Sequence, residues 1–302
     1  MKPMPHNSIP GRSIAAELAL ALLAATSLNL VFPDTVSAAD HTNLEEGLPV
    51  TIEDAYAIKQ NAIEAQGYFQ YDRTRRDPEG KDRFWVVPRL EFGPLPNTQF
   101  TIEVPYRFGD ASETQQGEFR SQLLYNFNTE GRVLPAFAVS GTVYQPFGYQ
   151  SGGTETELKF LATKSLDTLD PSGSSPYSYV PRRLHFNASW FHNYDPLTGP
   201  NAERQDRYRV GVAYSQPLTN DLLLVTDVYR ETDRARRSAI NIAELGVRYQ
   251  LTPQTILTGA GGVGFGGDRS QDFRFTFGFQ RTLSTPADYP YLIRPTSMFG
   301  QP

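Results

Sequence analysis

His185, Asn187 and Ser189 fall at alternate positions of one short segment. A Ser/His/Asn set is what a lipid hydrolase needs: a hydroxyl nucleophile, a base to take its proton, and a partner that orients the base. Their spacing works against that chemistry. On a strand the three share one face, and four steps of ~3.3 Å separate the outer two by about 13 Å, too far for a hydrogen-bonded triad. Polar lining of an interior is the expectation for them. His185 and His192 have opposite parity, so they form no two-histidine metal pair on one face. Carboxylates scattered through the polar loops lack the spacing of a calcium site. Gly259, Gly261, Gly262, Gly264, Gly266 and Gly267 suggest a phosphate cradle, but no helix and no Lys-Ser/Thr pair follows them. Glycine there leaves room for bulky inward side chains or permits a bend. Arg234-Ala235-Arg236-Arg237 reads as a solvated loop tip, with anionic outer-leaflet lipid as its alternative partner. No catalytic residue, metal ligand or cofactor is expected.

The ionised residues instead follow a pattern of two. In Phe273-Arg274-Phe275-Thr276-Phe277-Gly278-Phe279-Gln280 every odd position is Phe and every even one is polar or small. A strand built from it has one face of rings and one of polar groups. Residues 100–108 and 208–215 alternate as clearly. Weaker members centre on residues 63–72, 84–93, 119–127, 136–145, 154–165, 184–192, 222–230, 240–250 and 255–265. That makes about twelve segments, each near the length of a tilted membrane-crossing strand. Phe84, Val86, Leu90, Phe92, Leu123, Phe186, Trp190, Leu222, Leu224, Leu245 and Val247 share the apolar parity. The opposite parity collects Glu64, Arg89, Glu91, Glu103, Arg107, Arg120, Glu157, Lys159, Arg209, Asp227, Glu244, Arg248 and Arg274. Aromatics sit at the ends of several segments, as two membrane interfaces would select.

The connections alternate too. Gly93–Asn97, Pro217–Asp221 and Leu251–Gln254 are short, whereas Thr74–Asp82, Gly109–Gly117, Asp195–Asp206 and Glu231–Ser238 are longer and polar. Short periplasmic turns and long external loops belong to outer-membrane barrels. Leu166–Arg182 breaks the rule, being long where a short turn is expected; it holds either a further strand pair or an insertion.

Composition narrows the alternatives. The 302 residues carry a formal charge of −5 and no cysteine, which excludes a disulfide framework, a thiolate metal site and a cysteine-linked lipid anchor. No basic stripe is present to displace counterions from phosphates, so nucleic acid is not a partner. At the amino terminus, Lys2 and Arg12 precede an apolar run from Ile14 to Phe32 and the small-residue pattern Val36-Ser37-Ala38-Ala39. That is the layout of an export signal, residues 1–38, cleaved to leave a mature start near Ala39. Residues 39–60 form a periplasmic lead-in. Within it Thr51-Ile52-Glu53-Asp54 fits a capping box for a short periplasmic or lumen-plugging helix, and also an ordinary lead-in to the first strand, which is the favoured reading of the two. Residues 61–283 form the barrel and 284–302 a periplasmic tail.

The lead-in Leu48-Pro49-Val50-Thr51-Ile52-Glu53-Asp54-Ala55-Tyr56-Ala57-Ile58-Lys59 has companions downstream. With Glu103-Val104-Pro105-Tyr106, Thr156-Glu157-Leu158, Thr163-Lys164-Ser165 and Leu184-His185-Phe186-Asn187, it resembles the outer-membrane transporter family named for the putative meta-pathway of phenol degradation. The resemblance covers residues 45–283. It implies an outer-membrane β-barrel that passes small molecules, and it carries over no catalytic residue.

The fold expected is all-β: a single antiparallel transmembrane barrel of about twelve strands, greasy outside and charged within. Its function would be passive passage of a small solute, aromatic or hydrophobic ones included. Outer-membrane lipid, the solute and the barrel-assembly machinery would be its partners. A closed structural or surface-interaction barrel is the alternative, and an outer-membrane lipid hydrolase the third reading.

Overall fold

The computed structural model describes residues 41–74, 82–109, 116–148, 153–166, 181–198, 202–232, 234, 239–266 and 272–284. The expected signal peptide, residues 285–302 of the tail and the middle of the 166–182 connection lie outside the described residues.

Thirteen strand segments are present: β1 (Ile63–Arg73), β2 (Asp82–Phe92), β3 (Thr98–Glu103), β4 (Tyr106–Gly109), β5 (Gln116–Asn126), β6 (Ala136–Gly148), β7 (Glu155–Ser165), β8 (Arg183–Asn193), β9 (Asp206–Pro217), β10 (Leu222–Thr232), β11 (Ala239–Thr252), β12 (Thr255–Gly264) and β13 (Phe273–Ser284). β3 and β4 are halves of one strand, both lying between β2 and β5. The sequence predicts an unbroken strand over 100–108. It breaks at Val104–Pro105 because proline has no N–H to offer the ladder. The register nevertheless carries across, through Val104 N–H to Pro88 O (3.1 Å) and Glu118 N–H to Pro105 O (3.1 Å).

The result is twelve antiparallel strands in a closed ring, each paired with its sequence neighbour and β1 paired with β13 from Arg73↔Phe273 down to Glu64↔Thr282. Closure leaves no edge of unpaired amides, which is the condition for strands to cross hydrocarbon. β7 and β8 pair directly, Ser165 opposite Arg183, so among the described residues no extra strand pair enters there. No helix among them is long and apolar enough to cross a membrane.

Side-chain parity sorts the two faces. On β13, Phe273, Phe275 and Phe277 are exposed while Arg274, Thr276 and Gln280 are buried. The same alternation exposes Leu90, Leu123, Phe186, Trp190, Leu245 and Val247. Charges turned inward beside greasy residues turned outward invert the arrangement of a soluble protein.

Several inward positions are apolar, which the sequence reading did not single out. Leu124, Leu161, Ala213, Leu223, Val225 and Ile242 are all buried inside the ring. They meet residues 41–62. This segment forms no helix, and it is not a lead-in beneath the barrel: its backbone groups are bound by strands on opposite sides of the ring. The capping-box residue Thr51 caps nothing, because strand carboxylates take its donors instead.

Candidate functional site

The inserted segment turns sharply at Gly47. Gly47 N–H donates to Val50 O (2.8 Å) and Leu48 N–H to Glu45 O (2.9 Å). Gly47 has φ +80, and a Cβ there would lie 2.7 Å from the Tyr68 ring. Glycine is required on both counts.

Apolar contacts seat the segment in three places. Leu44 and Val50 pack with Leu223, Val225 and Ala260. Ile52 packs with Ala213, Tyr229 and Ile242. Ala55, Tyr56 and Ala57 pack with Leu124, Ala136, Ala138 and Leu161. An irregular segment buried in this way must pair its peptide groups with side chains, since it has no ladder of its own. Thr51 and Ile52 N–H donate to Asp227 Oδ2 (2.9 and 3.1 Å), and Thr51 Oγ1 donates to Glu244 Oε2 (2.9 Å). Asn187 makes a reciprocal pair with Glu53, accepting from its N–H (3.0 Å) and donating to its C=O (2.8 Å). Ala55 N–H reaches Thr163 Oγ1 (2.9 Å), Asn126 Nδ2 reaches Ala55 O (2.6 Å) and Ile58 N–H reaches Gln99 Oε1 (3.0 Å). Arg248, fully buried, donates to His41 O (3.0 Å), Leu48 O (2.5 Å) and Gln280 Oε1 (2.6 Å).

The thirteen charged residues singled out from parity meet this segment, one another, or other inward side chains of the wall. Arg89 pairs with Glu103, which also takes Arg120 at 3.2 Å, and Arg89 Nη2 also donates to Glu46 O at 2.6 Å. Glu91 accepts from Gln66 Nε2 (2.7 Å), and Glu64 accepts from Gln280 and Thr282. Arg274 pairs with Asp72 (2.7 Å), donates to Tyr229 OH (2.8 Å) and lies 3.6 Å from Glu244. Arg107 stacks on Trp85, 4.8 Å from its centroid, and donates to Gln116. Lys159 holds Glu46 and Glu53, and Arg209 holds Glu46 (2.7 Å) and Glu157 (3.1 Å). Asp227, Glu244 and Arg248 meet the segment's backbone. Asp72, Glu155, Arg183 and Arg207 share the inward parity at strand ends but are not among the thirteen, and parity says nothing of the acidic Glu45, Glu46, Glu53 and Asp54 of the segment. Those four acids beside a cation-bearing interior were the available signal.

The bonds of His185 and Asn187 do not join them to each other or to Ser189. His185 contacts Thr163 Oγ1 (3.1 Å) and Ser215 Oγ (3.0 Å), while Asn187 serves Glu53. His192 faces outward beside Trp190 and pairs with Asp206 (2.9 Å). Gly262 leaves room for Glu244, but Gly261 faces open space. Arg234 pairs with Glu203 (2.8 Å); the rest of its basic run lies outside the described residues.

Burial and the charge of Glu45 push Asp54 up to about 8, against the lowering effect of its bonds from Leu44 and Tyr56 N–H. Burial acts to raise Glu46 too, but Arg209 and Lys159 outweigh it and hold that carboxyl well below the usual range.

The molecule is therefore a twelve-stranded antiparallel β-barrel of the outer-membrane type, closed on itself and filled by its own amino-terminal segment. No protein-family profile matches the sequence, and no curated protein does. Among solved structures, an outer membrane channel from Pseudomonas putida F1 superposes with a TM-score of 0.58 at 12% identity, over 79% of this chain and 99% of that one. The NanC porin does so with a TM-score of 0.50 at 9% identity, over 73% and 99%. At these identities the likeness is one of fold.

Proposed function

We propose that the chain is an outer-membrane channel for passive passage of a small solute, and that residues 41–62 occlude it. Export by the signal of residues 1–38 delivers it, and the barrel-assembly machinery and outer-membrane lipid receive it. The observation that carries the reading is the combination of an apolar outer wall with a charged interior that is filled by a non-strand segment, residues 41–62, held by side chains of the wall. A segment bound from one side could not block the bore; this one is bound from nearly every side. Arg89, Arg107, Arg120, Lys159, Arg209, Arg248 and Arg274, opposed by Glu64, Glu91, Glu103, Glu157, Asp227 and Glu244, line the path. With both signs present, strong selectivity for anions or cations is not expected. The resemblance to the phenol meta-pathway transporters supports small aromatic or hydrophobic solutes as candidates, and the solved channels of the same fold support transport in general.

The extent of the filling favours one other reading, a closed barrel serving structure or surface contact. Planar-bilayer recording separates the two. Folded protein that conducts, with current rising when the segment's anchors are weakened, supports the channel; silence in the parent and in every weakened variant supports the closed barrel.

A further inference from the structure

Glu46 differs from the other acids of the inserted segment. Its side chain keeps 23% exposure, whereas that of Glu53, on the same lysine, keeps 4%. Each of its oxygens meets a different cation: Oε2 meets Lys159 Nζ, and Oε1 meets Arg209 Nη1 at 2.7 Å. No strand carboxylate fills that position. Glu157 reaches Arg209 at 3.1 Å but stands 3.9 Å from Lys159, and Glu231 stands 3.8 Å from Arg209. The Arg209 guanidinium lies over the buried Phe191 ring, 5.3 Å from its centroid, with Arg207 over the same ring at 4.5 Å. Arg207 is taken by Glu155 and Glu231, whereas Lys159 and Arg209, though they also meet Glu53 and Glu157, are the two cations that hold Glu46. β7 and β9, both flanking β8, position the two cations. Charge-assisted bonds to a carboxylate from a buried lysine and a largely buried arginine are directional and strong.

We propose that Lys159 and Arg209 form a carboxylate-binding subsite in the bore, and that Glu46 occupies it as an internal stand-in for a solute carboxylate. This rests on the channel reading and adds to it a solute class and a means of opening. A small monocarboxylate arriving beside the exposed edge of Glu46 competes for the same two donors. Once Glu46 is displaced, the turn at Gly47 loses its side-chain anchor to β7 and β9, and the inserted segment shifts. The side chain of glutamate beyond Cα is a propionate, so propionate is the matched probe and propionamide its uncharged counterpart.

The test uses the full-length protein in planar bilayers in potassium chloride, with heat-modifiable gel migration confirming a folded barrel for every variant. Propionate is expected to raise the open probability of the parent, and propionamide to leave it unchanged. Glu46→Gln, which keeps the shape and removes the charge, is expected to open at least about tenfold more often without propionate, because the contacts to both Lys159 and Arg209 lose their charge assistance. It should respond no further to propionate. Glu46→Asp, one methylene shorter, should respond at lower propionate concentration than the parent. Equal effects of propionate and propionamide, or a parent-like propionate response in Glu46→Gln, overturn the subsite. If Glu46→Gln conducts chloride salts but no variant senses propionate, the subsite falls and the channel stands. Silence in every variant removes both.

Discussion

Arg248 concentrates the residue-scale argument. It is wholly buried, and two of its bonds go to backbone carbonyls of the inserted segment. Arg248→Ala strips the buried Leu48 O of this donor, at about 1–3 kcal/mol for a buried acceptor left unpaired, and removes the bond to the half-buried His41 O. The barrel should still form, while hydrogen exchange at residues 41–50 rises sharply; unchanged exchange there would show that Arg248 is not an anchor. Titration gives a second prediction. Asp54 moves from 3.8 in the free side chain to about 8 when seated. A raised carboxyl contributes stability that is complete below the lower value, falls between the two and is gone above the higher. Glu46, held low, is ionised throughout the range from about pH 5 upward and adds no slope there. Channel current should therefore grow as pH is raised from about 5 to about 9; current that falls or stays flat over that range contradicts it.

At the scale of elements, period-two alternation made nearly all strands legible, since one face must be apolar and the other not. Phe273 to Gln280 shows it in consecutive residues, and even the interruption at Pro105 follows from one missing N–H. The inserted segment was not legible in the same way. It has no period, because it is satisfied residue by residue by partners far away in sequence, such as Asp227 for Thr51 and Thr163 for Ala55. The capping-box pattern there pointed to a helix that does not exist. The signal that could have corrected it lay in the strands: Leu124 and Leu223 are apolar residues on the inward parity, and something apolar must cover them. The face assignment itself is testable on β11. Leu245, outward and mid-strand, should cost ~2–4 kcal/mol when changed to Arg, whereas Leu251→Arg at the strand end should cost ~0–1 kcal/mol. Denaturant unfolding in lipid vesicles reads the difference, and equal costs would place β11 away from hydrocarbon.

At the scale of the whole molecule, ring closure and bore filling are separate achievements of one chain. Closure depends on β1 meeting β13, filling on residues 41–62 meeting the inward faces of strands around the ring. On the proposed channel reading, the segment shifts while the barrel persists, and the two sets of contacts that this separates are distinct in the structure. The chain contains no cysteine, so an introduced pair reports on one contact alone. Ala55 and Thr163 touch across the boundary between segment and wall, with Ala55 N–H 2.9 Å from Thr163 Oγ1. In the double variant Ala55→Cys/Thr163→Cys, single-channel recording should show current suppressed while the disulfide is formed and released by a reductant. Equal current in the oxidised and reduced states would contradict occlusion by the amino-terminal segment.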